Sequence, residues 1–189
     1  PMADYFIVTA PGLEPITLGE CEKLGLTASP ETGGLLMKGQ LGDLYKANYL
    51  LRTANRVLAR VGQPFMAKTF DDLGQRVEAL PWDQFLNGNC TLQFHVTCAH
   101  SKLMHTGVIA KTAAKAIQRK LRVPEMVGGE PQQVHIRIAD DKVTVSMDSS
   151  GEILYKRGYR QQVTRSPMRE TLAAALIFSS GWDTISPLI

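Results

Sequence analysis

The stretch "VHIRIADDKVTVSMDSSG", residues 134–151, decides the fold. Val134, Ile136 and Ile138 alternate with other residues on one arm, and Val143, Val145 and Met147 alternate on the second. A period of two puts each set on one face of an extended strand. Asp140 and Asp141 lie between the arms, at the place of a tight turn. The sequence therefore predicts an antiparallel hairpin with one apolar face to bury.

Upstream of this hairpin, "SKLMHTGVIAKTAAKAIQRKLR", residues 101–122, holds six Lys or Arg and no acid. The whole chain carries only +3, so the remainder sums to −3 and the positive charge is concentrated here. The spacing predicts a helix over Gly107 to Arg122. Lys111, Lys115 and Arg119 fall at i, i+4 and i+8, with Arg122 close to the same line. Ile109, Ala113, Ala116 and Ile117 occupy the opposite side and can bury on a sheet, while Lys120 must extend its ammonium to water from among the apolar positions. A stripe of cations without interleaved glutamates is an electrostatic footprint for phosphate. Lys102, His105 and Thr106 add donors at the helix N-terminus, where free backbone N–H groups also favour an anion.

Before the basic helix, "CTLQFHVTCA" alternates as a strand, and "TFDDLGQRVEALPWDQFL" reads as two short helices separated at Pro81. Residues 66–150 thus form an ααβαββ unit. The first 65 residues read βαβαβ, the size of a ferredoxin-like unit. "DYFIVTA" and "GGLLMKG" are its first two strands, with Pro15 opening a helix between them and Gly25 closing it. A second helix is expected across Leu44, Ala47, Leu51 and Ala54, with extended chain after it and a boundary near Gln63 and Pro64.

The C-terminal stretch "YKRGYRQQVTRSPMRETLAAALI", residues 155–177, turns from basic to apolar. Ser166 suits an N-cap, Pro167 the first helical position and Glu170 the positive end of the helix dipole, so a helix is expected from Pro167 through Phe178. "TISPLI" then reads as a strand just beginning, as if a longer protein had been cut here. If so, the side of that helix bearing Leu172, Leu176 and Ile177 is either covered by another copy of the chain or left mobile.

The composition, 44% hydrophobic and 21% charged, is that of a globular protein. The longest apolar run is too short to cross a bilayer and the N-terminus lacks a signal-peptide pattern, which leads to the expectation of a cytoplasmic protein. Cys21, Cys90 and Cys98 are odd in number and lack CxxC spacing, pointing to reduced thiols. "HVTCAH" sets His95, Cys98 and His100 close together, but His95 and Cys98 would face opposite sides of a strand, and two ligands do not make a zinc site.

Taken together, the ααβαββ unit, the basic helix and "LYKRGYR...SPMRETLAAALI...GWD...PLI" resemble the N-terminal half of bacterial THUMP-containing ribosomal RNA methyltransferases, in particular the large-subunit rRNA guanine methyltransferases. The resemblance covers nearly the whole chain and is most specific from Lys156 to Ala175. It implies an α+β fold: a ferredoxin-like unit at 1–65, a THUMP RNA-binding domain at 66–150, and a connector at 151–189 leading into a Rossmann-type methyltransferase domain that this chain does not contain. By the same resemblance, Lys102, His105, Thr106, Lys111, Lys115, Arg119 and Arg122 are expected RNA contacts. Lys156, Arg157, Tyr159 and Arg160 match the connector motif, Arg157 and Arg160 either as RNA contacts or as ion-pair anchors, with Gly158 serving a turn.

S-adenosylmethionine is implied for the full-length protein. Its family motifs, "DPMCGSGT" and an NPPY-type tetrapeptide, do not occur in these 189 residues. The chain alone is therefore expected to bind structured RNA, in the first place large-subunit rRNA, without catalysing, and to have no catalytic, cofactor or metal residues. Two alternatives remain open at this stage: a protein–protein interaction module whose basic helix meets an acidic partner, and the RNA-binding half of another THUMP-containing RNA-modifying enzyme.

Overall fold

The computed structural model describes residues 2–162, 165 and 167–187. The chain divides into two compact units, one formed by residues 1–59 with 149–189 and the other by residues 60–148.

The first unit runs β1 (Ala3–Thr9), α1 (Glu14–Lys23), β2 (Thr27–Glu31), β3 (Gly34–Gly39), α2 (Leu41–Leu50) and β4 (Ala54–Arg60). Its strands lie in the order β2-β3-β1-β4, every neighbouring pair antiparallel. The pattern is βαββαβ rather than the expected βαβαβ. β2 carries "TASPE", with little apolar alternation and a proline, and a proline is tolerated where a strand sits at a sheet edge, as β2 does.

α1 opens with Pro15 in its first turn and closes in a Schellman arrangement. Leu26 donates its N–H to the Cys21 carbonyl at 2.9 Å and Gly25 donates to that of Glu22 at 3.0 Å, with Gly25 at φ +68°. α2 ends at Leu50 instead of continuing to Ala54. Leu51 is already extended at φ −65°, ψ 128°, yet Leu44, Ala47, Leu51 and Ala54 are all buried. Their spacing marks the core, not the length of the helix. The buried Glu20 carboxylate secures this exit from α2, accepting the N–H groups of Arg52 (2.7 Å) and Thr53 (3.1 Å) and the Thr53 hydroxyl (2.8 Å).

Residues from 149 onward return to this unit. Ser149 donates its N–H to the Val57 carbonyl at 3.1 Å, Ser150 Oγ accepts the Val57 N–H at 2.8 Å, and Leu154 donates to the Asn55 carbonyl at 2.9 Å. The last helix, α5 (Glu170–Ser179), begins at Glu170 and not at Pro167. Arg169 before it is extended at φ −67°, ψ 142°, and Arg160 holds both the Met168 carbonyl and the Glu170 carboxylate, the latter at 2.9 Å. The expected N-cap Ser166 lies outside the described residues, as do Leu188 and Ile189. Residues 184–187 do not form the expected strand: Asp183 Oδ1 accepts the N–H groups of Ile185 and Ser186 at 2.9 and 2.8 Å and bends the chain.

The second unit contains β5 (Phe65–Met66), α3 (Phe70–Glu78), a 3-10 turn at Trp82–Gln84, β6 (Leu92–Ala99), α4 (Thr106–Leu121), β7 (Gln132–Ala139) and β8 (Lys142–Asp148). The turn replaces the second of the two expected helices. It seats the fully buried Trp82, whose indole N–H donates to the Val77 carbonyl at 2.7 Å. The strands lie in the order β5-β8-β7-β6, with β6 and β7 parallel and the other pairs antiparallel. α4 is the crossover between the parallel pair.

The hairpin of β7 and β8 forms as the alternation predicts. Ala139 faces Lys142 across a two-residue turn, Asp140 and Asp141 take left-handed φ values of 51° and 60°, and Val134, Ile136, Ile138, Val143, Val145 and Met147 are buried. Among the described residues, no helix is long and apolar enough to cross a membrane.

Candidate nucleic-acid interface

α4 is amphipathic because its small and β-branched residues share one face. Ile109, Ala113, Ala116 and Ile117 are fully buried in the core of the second unit, packed with Leu73, Val77 and the β7–β8 side chains. Burial of that face fixes the helix roll and turns Lys111 and Lys115 outward, where both are exposed. Gly74 on α3 permits close packing: a Cβ there would stand 3.4 Å from Thr112 and 3.8 Å from an Arg119 nitrogen.

The other expected contacts are arranged around this pair. Arg119 is exposed but bends toward α3, its Nε 2.7 Å from Glu78 Oε2. An ion pair between two half-exposed side chains stabilises by only ~0–1 kcal/mol, so phosphate can displace it. Lys120 is exposed at the helix end. Arg122 departs from the expected line, because the helix ends at Leu121 and Arg122 caps it in the left-handed conformation at φ 56°, ψ 38°. Arg122 is thus exposed at the C-terminal end of α4, beyond the helical repeat.

At the opposite end, His105 occupies the N-cap position without a side-chain capping bond, and His105 and Thr106 are exposed. The first turn of α4 thus leaves backbone N–H groups without helical partners at an exposed helix end, and Lys102, three residues before the N-cap, is exposed as well. The loop that carries Lys102 is held by a residue that sequence reasoning assigned only to the hairpin turn. Asp141 Oδ1 accepts the Lys102 N–H at 2.8 Å and the Ser101 hydroxyl at 2.9 Å. These bonds, with the Lys68 and Lys102 charges, hold the Asp141 carboxyl below the usual aspartate range. The signal that could have revealed this role is the pairing of an acidic turn with a basic loop.

The connector cations in the first unit make different contacts. Arg157 donates to four carbonyls, those of Leu154 (2.9 Å), Tyr49 (2.7 Å), Asn48 (2.8 Å) and Leu51 (2.7 Å). Arg160 is paired with Glu170, and the exposed Lys156 with Glu152 at 2.9 Å, a bond that raises the Lys156 pKa. "HVTCAH" resolves into separate surroundings. His95 lies on the exposed side of β6 and stacks on His135 with centroids 4.8 Å apart, while Cys98 faces inward and its pKa is raised by burial. Among the described residues, no three His, Cys, Asp or Glu side chains converge as a metal site.

Comparison with known proteins gives both units a family. Residues 4–58 match the RlmL ferredoxin-like domain, and residues 67–148 match the THUMP domain. The chain carries a THUMP domain. Its THUMP domain contains α3, α4 and the β7–β8 hairpin, and therefore the Lys111 and Lys115 face.

The chain is 33% identical to "Putative RNA methyltransferase YpsC" of Bacillus subtilis (strain 168), over 97% of this chain and 49% of that protein. It is 31% identical to "Ribosomal RNA large subunit methyltransferase K/L" of Syntrophotalea carbinolica, over 95% of this chain and 26% of that one. The THUMP-domain chain thus spans half or less of these relatives. Among solved structures it is similar to a "predicted N6-adenine-specific DNA methylase" of Listeria monocytogenes, with TM-score 0.89, 32% identity, and 96% and 49% of the two chains covered. It is also similar to SMU.472, whose crystal structure is complexed with SAH, with TM-score 0.86, 32% identity, and 98% and 51% coverage.

Proposed function

We propose that this chain is the RNA-binding part of an RNA methyltransferase, and that its THUMP domain grips structured RNA, in the first place large-subunit rRNA, along α4. The observation that carries the reading is the outward pair Lys111 and Lys115 on a helix face without acids, above a face that is fully buried. Lys102, His105 and Thr106 extend the contact at one end, and Arg119 and Arg122 at the other. Phosphate contacts of this kind position a nucleic acid without reading its sequence. Arg157 and Arg160 are assigned to holding the connector, since their donors are engaged by carbonyls and by Glu170. Lys156 is also paired, with Glu152, but that pair is open to solvent whereas the Arg160–Glu170 pair is mostly covered, so Lys156 is the connector cation assigned to RNA.

The names of the relatives, an RNA methyltransferase and a ribosomal RNA large subunit methyltransferase, support methyl transfer to RNA by the whole protein. A guanine target, a Rossmann-type domain beyond these residues and a cytoplasmic setting belong to the proposal and rest on the resemblance of the connector sequence. SMU.472, complexed with SAH, supports S-adenosylmethionine as the methyl donor. The α4 face does not fit that cofactor, since it carries cations and no acid for a ribose, and the family's glycine-rich cofactor motif does not occur in these 189 residues. No chemical step is assigned to them.

The test is a titration of the chain with a folded rRNA hairpin. Lys111→Glu combined with Lys115→Glu should weaken binding at least tenfold at moderate salt while leaving the fold intact, because both side chains are exposed. Unchanged affinity in the double variant would move the RNA face elsewhere.

A further inference from the structure

We propose that a second RNA site lies in the first unit, in the cleft against α5, and that it takes one unstacked nucleotide of single-stranded RNA. This rests on the RNA-binding reading above and deepens it. The cleft has a volume of about 580 Å³ and is lined by Tyr155, Tyr159, Phe178 and Trp182 together with Lys23 and Arg52. That size lies within the range of small-ligand sites, roughly 300–1,000 Å³. Aromatic rings with adjacent cations are the combination that holds a base by stacking and its phosphate by charge, independently of sequence.

The connector side of the cleft is fixed by the fold of the first unit. Arg157 lies in its wall and is fixed by the carbonyls of Asn48, Tyr49, Leu51 and Leu154, which sets the chain on either side of it, including Tyr155 and Tyr159. Its charge is spent on neutral acceptors, so no acid cancels it. Arg52 is held at its backbone by the Glu20 carboxylate at 2.7 Å and leaves an exposed side chain at the rim. The Lys23 ammonium stands 5.7 Å from the centroid of the Phe178 ring. The acid in the lining, Glu170, is paired with Arg160. Tyr159 is 76% exposed, a ring presented to solvent on a fixed segment. Leu154, Ala173, Ala174 and Ile177 complete the lining as an apolar floor for the face of a base, and Lys23 and Arg52 add the cations that a phosphate requires and an apolar peptide does not.

Trp182 reports on this cleft directly, since the other tryptophan, Trp82, is fully buried in the second unit and supplies a constant background. The chain is titrated with a five-nucleotide single-stranded RNA, with AMP, and with an apolar helical peptide. Saturable quenching by the pentamer is expected, weakened about tenfold in Tyr159→Ala and in Arg52→Ala and retained in Tyr159→Phe. Lys111→Glu with Lys115→Glu should leave this quenching intact while hairpin binding falls. Hairpin binding without quenching by the pentamer overturns the cleft site alone. Absence of both overturns the RNA-binding reading as well. Quenching by the peptide and not by RNA, or equal pentamer affinity in Tyr159→Ala, overturns the nucleotide assignment.

Discussion

The Asp141 carboxylate accepts the backbone N–H of Lys102 at 2.8 Å, tying the turn of the β7–β8 hairpin to the loop that precedes α4. The same oxygen accepts the Ser101 hydroxyl. The folded protein favours the ionised form of Asp141, so its contribution is fully present above the ordinary aspartate pKa of 3.8 and is lost as the pH falls through the lower folded value. The Lys102 amide resonance should therefore titrate with a midpoint below 3.8. Asp141→Gly keeps the left-handed turn but deletes both bonds, and should speed amide exchange at Lys102 without loosening the hairpin. A midpoint at or above the ordinary value would contradict the contact.

Glu20 makes a second prediction, this one about stability. Glu20→Ala strips the acceptor from the Arg52 and Thr53 N–H groups and the Thr53 hydroxyl, in a place where Thr53 is fully buried. Stranded buried donors destabilise by about 2–3 kcal/mol. The loss should be seen as faster native-state exchange at Ile7 and Val57 of the first unit. Glu20→Gln, which keeps one carbonyl oxygen, should fall between. Wild-type exchange in Glu20→Ala would show that the Arg52–Thr53 turn does not need its clasp.

Cys21 is fully buried, and burial together with the charges of Glu20 and Glu22 pushes its thiol up to about 12. The thiolate is the reactive form. Iodoacetamide at pH 8 should leave Cys21 unmodified in the native chain and alkylate it only in denaturant, as peptide mass mapping would record. Native labelling at a rate comparable to an exposed thiol would refute this burial.

α5 tests how firmly the C-terminal helix belongs to the first unit. Thr171 and Ala175 are its buried residues, while Leu172 and Leu176 are 44% and 53% exposed. Burial this slight gives a ten-residue helix little tertiary support, so its amides should exchange much faster than those of β7 and β8 at low protein concentration. If copies of the chain cover the leucines, protection will rise with concentration. Protection equal to the hairpin in a dilute monomer would show α5 to be a full member of the core.

The hairpin and the basic helix were legible from the residues because alternation and helical spacing each had one interpretation that buried all the apolar side chains. β2 was not, since an edge strand with Pro30 has no apolar period of its own and exists through its pairing with β3. Leu51 and Ala54 continued a helical spacing yet are buried after the helix has ended, which periodicity alone does not distinguish. The candidate site was readable as charge but not as partnership. Lys111 and Lys115 remain outward, whereas Arg157 turns to carbonyls on α2 and the turn after it, more than a hundred residues away in sequence. Such long-range contacts leave no local signature.

The most direct test of the central claim is the salt dependence of binding to a folded rRNA hairpin, compared between the wild-type chain and Lys111→Ala with Lys115→Ala. Each phosphate contact removed should flatten the slope of log K against log salt by roughly one. The account predicts a slope shallower by about two in the double variant, with weaker binding at low salt. Parallel lines of equal slope would show that α4 does not carry the phosphate contacts.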